Sequence, residues 1–504
     1  MPPSAAEAAA VAVTRFGLGA RPGEIERVAA DPRGWLEAQV TPGGAPNPAG
    51  RFVASAERMQ QLLAYRAEAA ATPATDAAMT PGSAMAQESA MGDPAAEAAL
   101  AARRDSRRDM TLDTAREFLA RAQMGATTEA GFAERWALFW ANAFTTSATK
   151  FQSAVFMGPY EREAIRPHVF GKFEDLAVAA EQHPAMLLYL DQAQSVGPNS
   201  QAGQRRNAGL NENLAREILE LHTVGADGGY SQADVTEFAR ALTGWSTPTP
   251  RDQAPGDPGM AGGNPAGQGR RARAIRAAMA GEPGENAFVF RPVVHEPGAR
   301  TVLGRTYAPG GREQGEAVLR DLARRPETAR RLARKLAVHF TVDDPPPALI
   351  DTLEAAWTRS DGDLAAVART LIAAPEAWSP RPVKMKTPYD FIISTHRALG
   401  SSPARVQPLQ QALISMGQPA FSAPSPEGWP DTAADWAGPD ALVKRLDWAR
   451  AVADLAAPAA DPNAVAAGAL GARLGERTRQ FVARAESRPE ALTLFLMSPE
   501  FQRR

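Results

Sequence analysis

Apolar residues recur every three or four positions along most of the chain, which is the spacing of one face of an α-helix. Alanine, leucine, arginine and glutamate fill many of these segments, and all four are good helix formers. We therefore predict an all-α, multi-helical fold with one small β-hairpin and two low-complexity insertions. The predicted helices lie near residues 5–13, 24–30, 35–39, 54–66, 111–123, 128–144, 160–169, 172–181, 184–190, 313–324, 325–340, 346–359, 363–374, 388–399, 406–416 and 439–456, with two more inside 211–245 and others toward the end.

One region departs from the helical spacing. The runs AFVFRPVV (287–294) and RTVLGRTY (300–307) are rich in β-branched and aromatic residues, as strands are. Glu296, Pro297 and Gly298 lie between the two runs and are typical of a turn. The pattern predicts a hairpin in which these two runs pair.

Two segments lose the apolar stripe and divide the chain. Residues 66–108 are rich in Ala, Met, Pro, Ser and Asp, which predicts a mobile insertion between helices. Residues 246–286 are too rich in Pro and Gly to pack, which predicts a linker or loop. We expect an N-terminal helical half over residues 1–245 and a second half over residues 287–504 that packs on the first.

The stretch NENLAREILELHTVGADGGYSQADVTEFARALTGW (211–245) carries an unusually dense polar pattern. Leu214 and Ile218 define the apolar face of its first helix, and His222 falls beside Ile218, so we expect His222 to be buried. A polar stripe covers the opposite face of the helix. The members of this stripe are Glu212, Asn213, Arg216, Glu217 and Glu220.

Two interpretations of this stretch stay open. Gly225 is placed to end the first helix, and Ser231 with Asp234 forms a capping pattern for the next, so the stretch can be two capped helices with a surface ladder of ion pairs. Alternatively, the stripe lines a cleft. Its carboxylates would then divide acid and base roles or bind a hard cation, and its amide and guanidinium groups would hold a ligand. The catalytic candidates are Glu217 and Glu220, and the binding candidates are Asn213 and Arg216.

The predicted hairpin turn brings three further polar side chains together. His295 is a catalytic candidate, because an imidazole exchanges protons near neutral pH. Glu296 and Arg300 are binding candidates beside it. The alternative is that the three side chains only solvate an exposed turn.

Composition excludes several classes of function. Lys and Arg total 55 against 57 Asp and Glu, a formal net charge of −2, so bulk charge favours neither nucleic acid nor an anionic membrane. The absence of cysteine removes disulfides, thiolate metal sites and thiol nucleophiles. HExxH metal spacing, a GxSxG elbow and a phosphate-binding P-loop are also absent. The metal and the cofactor, if any, are unknown from the sequence.

The chain also lacks the patterns of a membrane or exported protein. No run of about 18 apolar residues occurs, so we expect no membrane span. The first residues have no basic region before an apolar core, so no signal peptide is recognised. We expect a cytoplasmic location, and export together with a partner stays open.

Five segments resemble a known family. In chain order they are LFWANAFTTSATK, AMLLYLDQAQSVGPN, the stretch 211–245, HEPGARTVLG and LMSPEFQRR. They resemble the bacterial family called domain of unknown function 1800 over nearly the whole chain. The resemblance implies no established activity. It implies a gene neighbourhood shared with a second, frequently exported family similar to alkaline phosphatases and sulfatases, and thus a possible protein partner encoded nearby.

The chain departs from the family pattern at two places. The family usually has Asn-His-Phe where this chain has Asn142, Ala143 and Phe144, so any role of that histidine is absent here. The family's His-Asp-x-Gly-x-Lys corresponds to the segment from His295 to Arg300. Glu296 and Arg300 keep the charges of the family's Asp and Lys, but their side chains differ in length and shape. We predict a helical accessory or interaction protein. The alternative is a hydrolase-like or metal-assisted enzyme that joins the polar stripe to the His295 turn.

Overall fold

The computed structural model describes residues 3–71, 94–205, 209–253 and 281–504. Helices form most of these residues and the strands are short, which confirms the predicted mainly α fold. The α-helices are α1 (Ala5–Val11), α2 (Glu24–Val28), α3 (Pro32–Glu37), α4 (Ser55–Ala71), α5 (Pro94–Thr127), α6 (Gly131–Ala143), α7 (Phe151–Ala154), α8 (Met157–Tyr160), α9 (Phe173–Gln182), α10 (Pro184–Tyr189), α11 (Asn213–Glu217), α12 (Gln232–Leu242), α13 (Pro250–Gln253), α14 (Arg312–Ala323), α15 (Pro326–Phe340), α16 (Pro347–Arg359), α17 (Leu364–Ala373), α18 (Pro388–Ala398), α19 (Val406–Ser415), α20 (Ala433–Trp436), α21 (Pro439–Ala456), α22 (Pro462–Leu470), α23 (Glu476–Arg484), α24 (Arg488–Leu496) and α25 (Pro499–Gln502).

Some α-helices continue into a wider π-helical turn. Among the described residues, such turns extend α1 over Ala12–Phe16, α8 over Glu161–Ile165 and α11 over Ile218–His222. A π turn adds a residue to the helical cycle and so rotates the side chains that follow it. Its effect on α11 matters below, because that helix carries the polar stripe.

Two small sheets join the helices. Strand β3 (Val289–Phe290) lies between β1 (Trp245–Ser246) and β2 (Glu282–Pro283), and both pairings are antiparallel. Strands β4 (Arg300–Val302) and β5 (Arg305–Tyr307) form the hairpin.

A small hairpin forms within residues 300–307, and the predicted pairing of residues 287–294 with residues 300–307 is wrong. A 3₁₀ turn that begins at Pro292 ends the first run after β3. Leu303 and Gly304 both adopt left-handed backbone angles (φ 47° and 77°), so the second run folds back on itself. The glycine at position 304 is typical of such a tight turn. Leucine at positive φ is rare, so the sequence did not predict a turn at Leu303.

The main hydrophobic cluster draws on both sides of the predicted division at residues 246–286. It contains Trp136 and Ile218 from the first side and Leu336 and Trp357 from the second. A second cluster joins Phe118 of α5 to α18, α19 and the helices after them. Helices from distant parts of the sequence therefore share their apolar faces, and the division into halves stays a prediction.

The two predicted insertions fall largely on residues 72–93 and 254–280, which lie outside the described residues. The first one was drawn too wide, because α4 reaches Ala71 and α5 begins at Pro94. Residues 94–108 are helical without an apolar stripe because alanine, leucine, arginine and glutamate favour helix at exposed positions as well. No helix in the described part of the chain has the length and apolar character to cross a bilayer.

A polar cavity between two hydrophobic clusters

The caps predicted for the stretch 211–245 are confirmed. The Ser231 hydroxyl accepts from the backbone N–H of Asp234 at 3.3 Å, and the Asp234 carboxylate accepts from the backbone N–H of Ser231 at 2.8 Å. Gly225 adopts φ 91° after the first helix, and its N–H donates to the carbonyl of Leu219. A Cβ on Gly225 would lie 2.8 Å from Cδ of Arg331, so glycine also lets the stretch approach α15.

His222 is buried, as its place beside Ile218 predicted. Only 1% of it is exposed, and its ring centroid lies 5.1 Å from that of Phe144. Its Nδ1 atom lies 2.7 Å from Oε1 of Glu181, which is itself completely buried on α9. A close contact with a carboxylate from another helix therefore accompanies the apolar packing that the sequence indicated.

The polar stripe of α11 divides into two parts. Arg216 lies 3.3 Å from a Glu212 oxygen and donates to Gln232 of α12 at 3.0 Å, whereas Asn213 is exposed. These contacts match the surface ladder of the first interpretation. They join α11 to α12 across their outer surface.

Glu217 and Glu220 are both partly buried. Burial raises the pKa of Glu217 although His222 opposes this change, and the charges of Glu220 and Glu181 raise it further against a smaller opposing effect of Arg216. Glu220 accepts a hydrogen bond from the side chain of Tyr230. The π turn after Glu217 brings this end of the stripe toward the buried pair of His222 and Glu181.

His295, Glu296 and Arg300 are buried, so the expectation of an exposed turn is wrong. Nδ1 of His295 lies 2.7 Å from the carbonyl of Thr243, and burial lowers the pKa of His295. The Glu296 carboxylate accepts from the backbone N–H and the side-chain amide of Asn199 at 2.7 and 2.6 Å. Arg300 pairs with Glu237 of α12 at 3.2 Å.

The structure does not bring the two groups of candidates into contact. The polar partners of the stripe belong to α11, α12 and the Tyr230 loop. Those of the His295 turn are Thr243, Asn199 and Glu237. Within the ranges that the structure describes, no group of three or more His, Asp or Glu side chains is arranged to hold a metal ion.

A cavity of about 140 Å³ lies elsewhere, where the two hydrophobic clusters meet. Helices α5, α6, α15, α18 and α19 supply its walls, together with residues 418–423 and 429–431. Its polar lining includes Arg121, Arg135, Glu161, His339, Tyr389, Asp390 and Asp431. Such a set of charged groups in one cavity is a candidate functional site, because burial and mutual charge shift the pKa values of Arg121, His339, Tyr389, Asp390 and Asp431.

The pair of His339 and Asp431 has the geometry of an oriented base. Nδ1 of His339 lies 3.0 and 3.1 Å from the two carboxylate oxygens of Asp431, so the Nδ1 proton faces the carboxylate. Burial lowers the pKa of His339 to about 4 although the charge of Asp431 opposes this change, and the charges of Arg504 and Arg135 lower it further. Nε2 is buried and has no hydrogen-bond partner among the described residues, so its lone pair is not engaged by another side chain.

Asp431 stays ionised beside this neutral ring. Burial opposes its ionisation, but His339 and Lys384 hold the pKa of Asp431 well below its usual range. Lys384 also reaches Asp343 at 2.8 Å, so a short chain of charges runs behind the histidine. The carboxylate can therefore fix the imidazole tautomer at any ordinary pH.

Two basic side chains precede His339 on the same face of α15. Arg331, Lys335 and His339 are spaced four residues apart, which places them in one row along the helix. Burial and the charge of Arg331 lower the pKa of Lys335 to about 8, against the opposing charges of Glu427 and Asp431. Nη1 of Arg331 is buried and makes no hydrogen bond within the described ranges.

The opposite wall combines a cation with aromatic rings. The Arg121 guanidinium lies 4.5 Å from the ring centroid of Phe118, 4.9 Å from that of Tyr389 and 5.0 Å from that of Phe421, and it pairs with Glu161. The Tyr389 hydroxyl is buried, with no hydrogen-bond partner in the described part of the chain. Burial raises the pKa of Tyr389, so this hydroxyl stays protonated and can donate a hydrogen bond to a ligand.

Arg135 and Asp390 close the base of the cavity. Nη1 of Arg135 lies 3.1 Å from Asp390, and its Nε donates to the carbonyl of Gly17 at 2.7 Å. Burial opposes ionisation of Asp390, yet the charges of Arg135 and Arg504 lower its pKa to about 2. This pair is ionised and holds the first residues of the chain against α18.

Asn142 fixes the loop that carries Asp431. Its side-chain amide donates to the carbonyl of Trp429 at 2.9 Å, and its side-chain carbonyl accepts from the N–H of Trp429 at 2.8 Å. Gly428 has φ 92°, and a Cβ there would lie 2.6 Å from the carbonyl oxygen of Asn142, so only glycine allows this approach. Ala143, which stands where the family usually has histidine, is buried beside Asn142.

His339 was not among the site residues predicted from the sequence. Its partner Asp431 lies in an irregular segment, and the remaining walls come from helices far apart in sequence. The spacing of Arg331, Lys335 and His339 was the one local signal. A basic row on an amphipathic helix is usually a solvated face, so that signal alone could not indicate a cavity.

The fold and the cavity define a mainly helical protein with a buried, charged pocket built from distant segments of one chain. The chain belongs to the family described as Protein of unknown function (DUF1800), whose model matches residues 11–503. This confirms the resemblance that the five segments indicated. No curated protein and no solved structure matches the chain.

Proposed function

We propose that the cavity binds a small polar ligand and that His339 removes a proton from it or from a water molecule beside it. The observation that carries this proposal is the orientation of His339, whose Nδ1 faces both oxygens of Asp431 while its Nε2 is without a partner in the described residues. A neutral imidazole held in this way is deprotonated at neutral pH and can accept a proton. The function is therefore that of a hydrolase-like enzyme with its site on α15.

The rest of the lining supplies recognition. The Tyr389 hydroxyl can donate to an oxygen of the ligand, and the aromatic rings around Arg121 offer a flat apolar surface. Arg121 and Arg135 are each paired with a carboxylate, so the cavity carries both charges. A neutral or zwitterionic polar molecule fits this lining better than a multiply charged one.

A thermal-shift screen with small polar metabolites tests the proposal. A ligand at about 100 times its dissociation constant stabilises the native protein by about 2.7 kcal/mol. The stabilisation should be lost in Asp431→Asn and His339→Gln, and kept in His396→Gln, which changes a histidine outside the cavity. Each ligand found is then incubated with the native protein, and its turnover is followed by NMR. Ligands that stabilise the two cavity variants as well as the native protein would contradict the proposal.

The residues chosen from the sequence remain a separate proposal. Glu217, Glu220 and His295 are its catalytic candidates, and Asn213, Arg216, Glu296 and Arg300 its binding candidates. The raised pKa of Glu217 supports a role for the end of the stripe next to Glu181. The absence of a described contact between the stripe and His295 speaks for two separate groups rather than one site.

A second candidate function is that of an accessory protein for a partner encoded nearby. Large apolar side chains are exposed on the C-terminal helices: Ile414 by 55%, Val443 by 56%, Leu455 by 84% and Phe481 by 51%. Exposed apolar surface of this kind suits a protein partner. Purification from the native host tests the idea, since recovery of the chain alone at every salt concentration would contradict a stable complex. A cytoplasmic location, or export with that partner, is part of the same proposal.

A further inference from the structure

A second pocket lies on the outer side of α5, between that helix and α7. This outer pocket has a volume of about 340 Å³. Arg107, Thr111 and Thr149 belong to its lining and are exposed. Of the described residues that line the cavity of the proposed site, none is exposed. The outer pocket therefore faces the solvent, whereas the cavity lies deeper in the protein.

The outer pocket and the cavity share a wall. Phe118, Ala420 and Phe421 line both of them. The rings of Phe118 and Phe421 meet edge to face, with their centroids 5.1 Å apart. Arg121 lines the cavity and not the outer pocket, and its guanidinium lies 5.0 Å from the ring centroid of Phe421. Two rings and one methyl group thus separate the outer pocket from the cavity that contains His339.

Phe421 has a strained backbone at this wall. Its φ angle is 53°, in the left-handed region that a bulky side chain rarely adopts. Such strain persists only where the surroundings hold the residue in place. The carbonyl of Phe421 accepts from the backbone N–H of Ala148 at 2.8 Å, and its ring packs against both hydrophobic clusters. The protein therefore holds this phenylalanine, in an unfavourable conformation, where the two spaces meet.

The ring of Phe421 has more freedom than that of Phe118. Phe118 belongs to α5 and is 2% exposed, whereas Phe421 is partly exposed and lies in residues 416–432, which form no helix or strand. Side chains that reach solvent change rotamer quickly. Rotation of the Phe421 side chain alone would join the outer pocket to the cavity, while the backbone bond to Ala148 stays in place.

We propose that the outer pocket is the entrance of the cavity and that the ring of Phe421 must turn aside before a ligand reaches His339. The inference rests on the proposed function, because it takes the cavity as the place of the reaction. A cavity of about 150 Å³ holds a benzene molecule. The cavity, at about 140 Å³, takes a ligand of similar size. Phe421 thus selects for small or slender molecules, and the remainder of a longer one stays in the outer pocket.

The experiment measures access to the cavity with introduced thiols. The chain has no cysteine, so a single introduced cysteine reports how easily a reagent reaches it. Thr146 lines the cavity and Thr149 lines the outer pocket, which makes Thr146→Cys and Thr149→Cys a matched pair. Each full-length variant is treated with methyl methanethiosulfonate, a small neutral thiol reagent, and its modification is followed by mass spectrometry. We expect fast modification of the Thr149→Cys variant and slow modification of the Thr146→Cys variant.

Phe421→Ala, added to each variant, tests the gate. An open state that is populated to about 10% or less limits the reaction to that fraction, so Phe421→Ala should speed modification in the Thr146→Cys variant at least about tenfold. The rate in the Thr149→Cys variant should not change. Phe151→Ala is the control, because Phe151 is also partly exposed and lines the outer pocket without lining the cavity. It should leave both rates unchanged.

Phe421→Trp provides the test if Phe421→Ala does not fold. Its larger ring should slow modification in the Thr146→Cys variant below the rate with phenylalanine. A rate in the Thr146→Cys variant that is the same whichever residue stands at position 421, or that rises equally with Phe151→Ala, would overturn the proposal. The measurement needs neither a ligand nor His339. Its failure would therefore leave the proposed base in place, and failure of the ligand screen would leave the gate.

Discussion

Nδ1 of His222 lies 2.7 Å from Oε1 of Glu181, and neither side chain reaches solvent. The pair ties the π turn after α11 to α9, two elements that are separate in sequence. A buried pair of this kind contributes little by itself, but removing one partner leaves the other without compensation. His222 is therefore a structural histidine whose environment includes a carboxylate as well as apolar side chains.

His222→Ala should destabilise the protein by about 1 to 3 kcal/mol, because it opens a cavity next to Phe144 and leaves Glu181 without its partner. Urea denaturation followed by circular dichroism measures the loss. His396→Ala is the control, since that ring is partly exposed and bonds only its neighbour Ser401 among the described residues. Equal stability of the native protein and His222→Ala would show that the pair is not a structural contact.

The burial of His222 and the capping of α12 could be predicted because both depend on local spacing. Ser231 and Asp234 lie three residues apart, and His222 stands one turn from Ile218. The partner Glu181 could not be predicted, because it belongs to another helix and helical periodicity carries no information on packing between helices. The π turn was missed for a similar reason, since its hydrogen bonds depend on the surrounding packing.

The cavity was beyond sequence analysis for a topological reason. The charged groups and the tyrosine of its lining come from six separate parts of the chain, and each is unremarkable in its own segment. Asn142 lay in a motif that was recognised, yet the loop that it holds could not be identified from the motif. The residues predicted from the sequence, such as Glu217 and His295, lie in segments that are dense in polar residues. A high density of polar residues along the sequence does not show that they share one site in space.

Glu217→Gln separates the two interpretations of the polar stripe. The pKa of Glu217 is higher in the folded protein than in the unfolded chain. The ionised carboxylate therefore destabilises the folded state once the pH exceeds the pKa of the unfolded chain. The glutamine variant removes this cost and should be slightly more stable than the native protein at pH 7, by less than about 1 kcal/mol, with no difference at pH 4. Thermal melts at the two pH values measure the effect, with the exposed Glu376→Gln as control.

Complementation with the same variant tests a role in activity. A stable Glu217→Gln protein that restores full function to a host lacking the gene would remove Glu217 as a catalytic candidate. Loss of function with normal stability would support the interpretation that this end of the stripe lines a site.

Asn142→Ala should release the loop that carries Asp431. The variant loses two hydrogen bonds to the backbone of Trp429, so we expect a loss of about 1 to 3 kcal/mol and weaker ligand binding in the cavity. Hydrogen exchange measured by mass spectrometry should show faster exchange in residues 425–431. Asn463→Ala, at an exposed position of α22, is the control. Unchanged exchange in that loop would mean that the Asn142 bonds do not hold it.

The pH dependence of stability should report on His339. Its pKa is about 4 in the folded protein against an ordinary value of 6.5, so the folded state disfavours the protonated ring. The contribution of His339 to the free energy of unfolding is fully present above about pH 6.5. It falls as the pH approaches 4, because the histidine of the unfolded chain is protonated first. The shift corresponds to a loss of about 3 kcal/mol over that range.

His339→Gln should remove this part of the pH dependence, because glutamine does not titrate. Asp431→Asn should lower the pKa of His339 further, because the charge that favours the protonated ring is lost. The free energy of unfolding is measured in urea at several pH values between 4 and 7, and His396→Gln provides the comparison with a histidine outside the cavity. The pKa of His396 is also lowered to about 4 by burial. Each histidine variant should therefore remove the part of the pH dependence of the unfolding free energy that its own residue causes. The ring proton signals of His339, followed by NMR as the pH falls, give the pKa of this residue in the folded protein and so separate its effect from that of His396. A His339 that titrates near 6.5 in the folded protein would contradict the buried neutral base on which the proposed function rests.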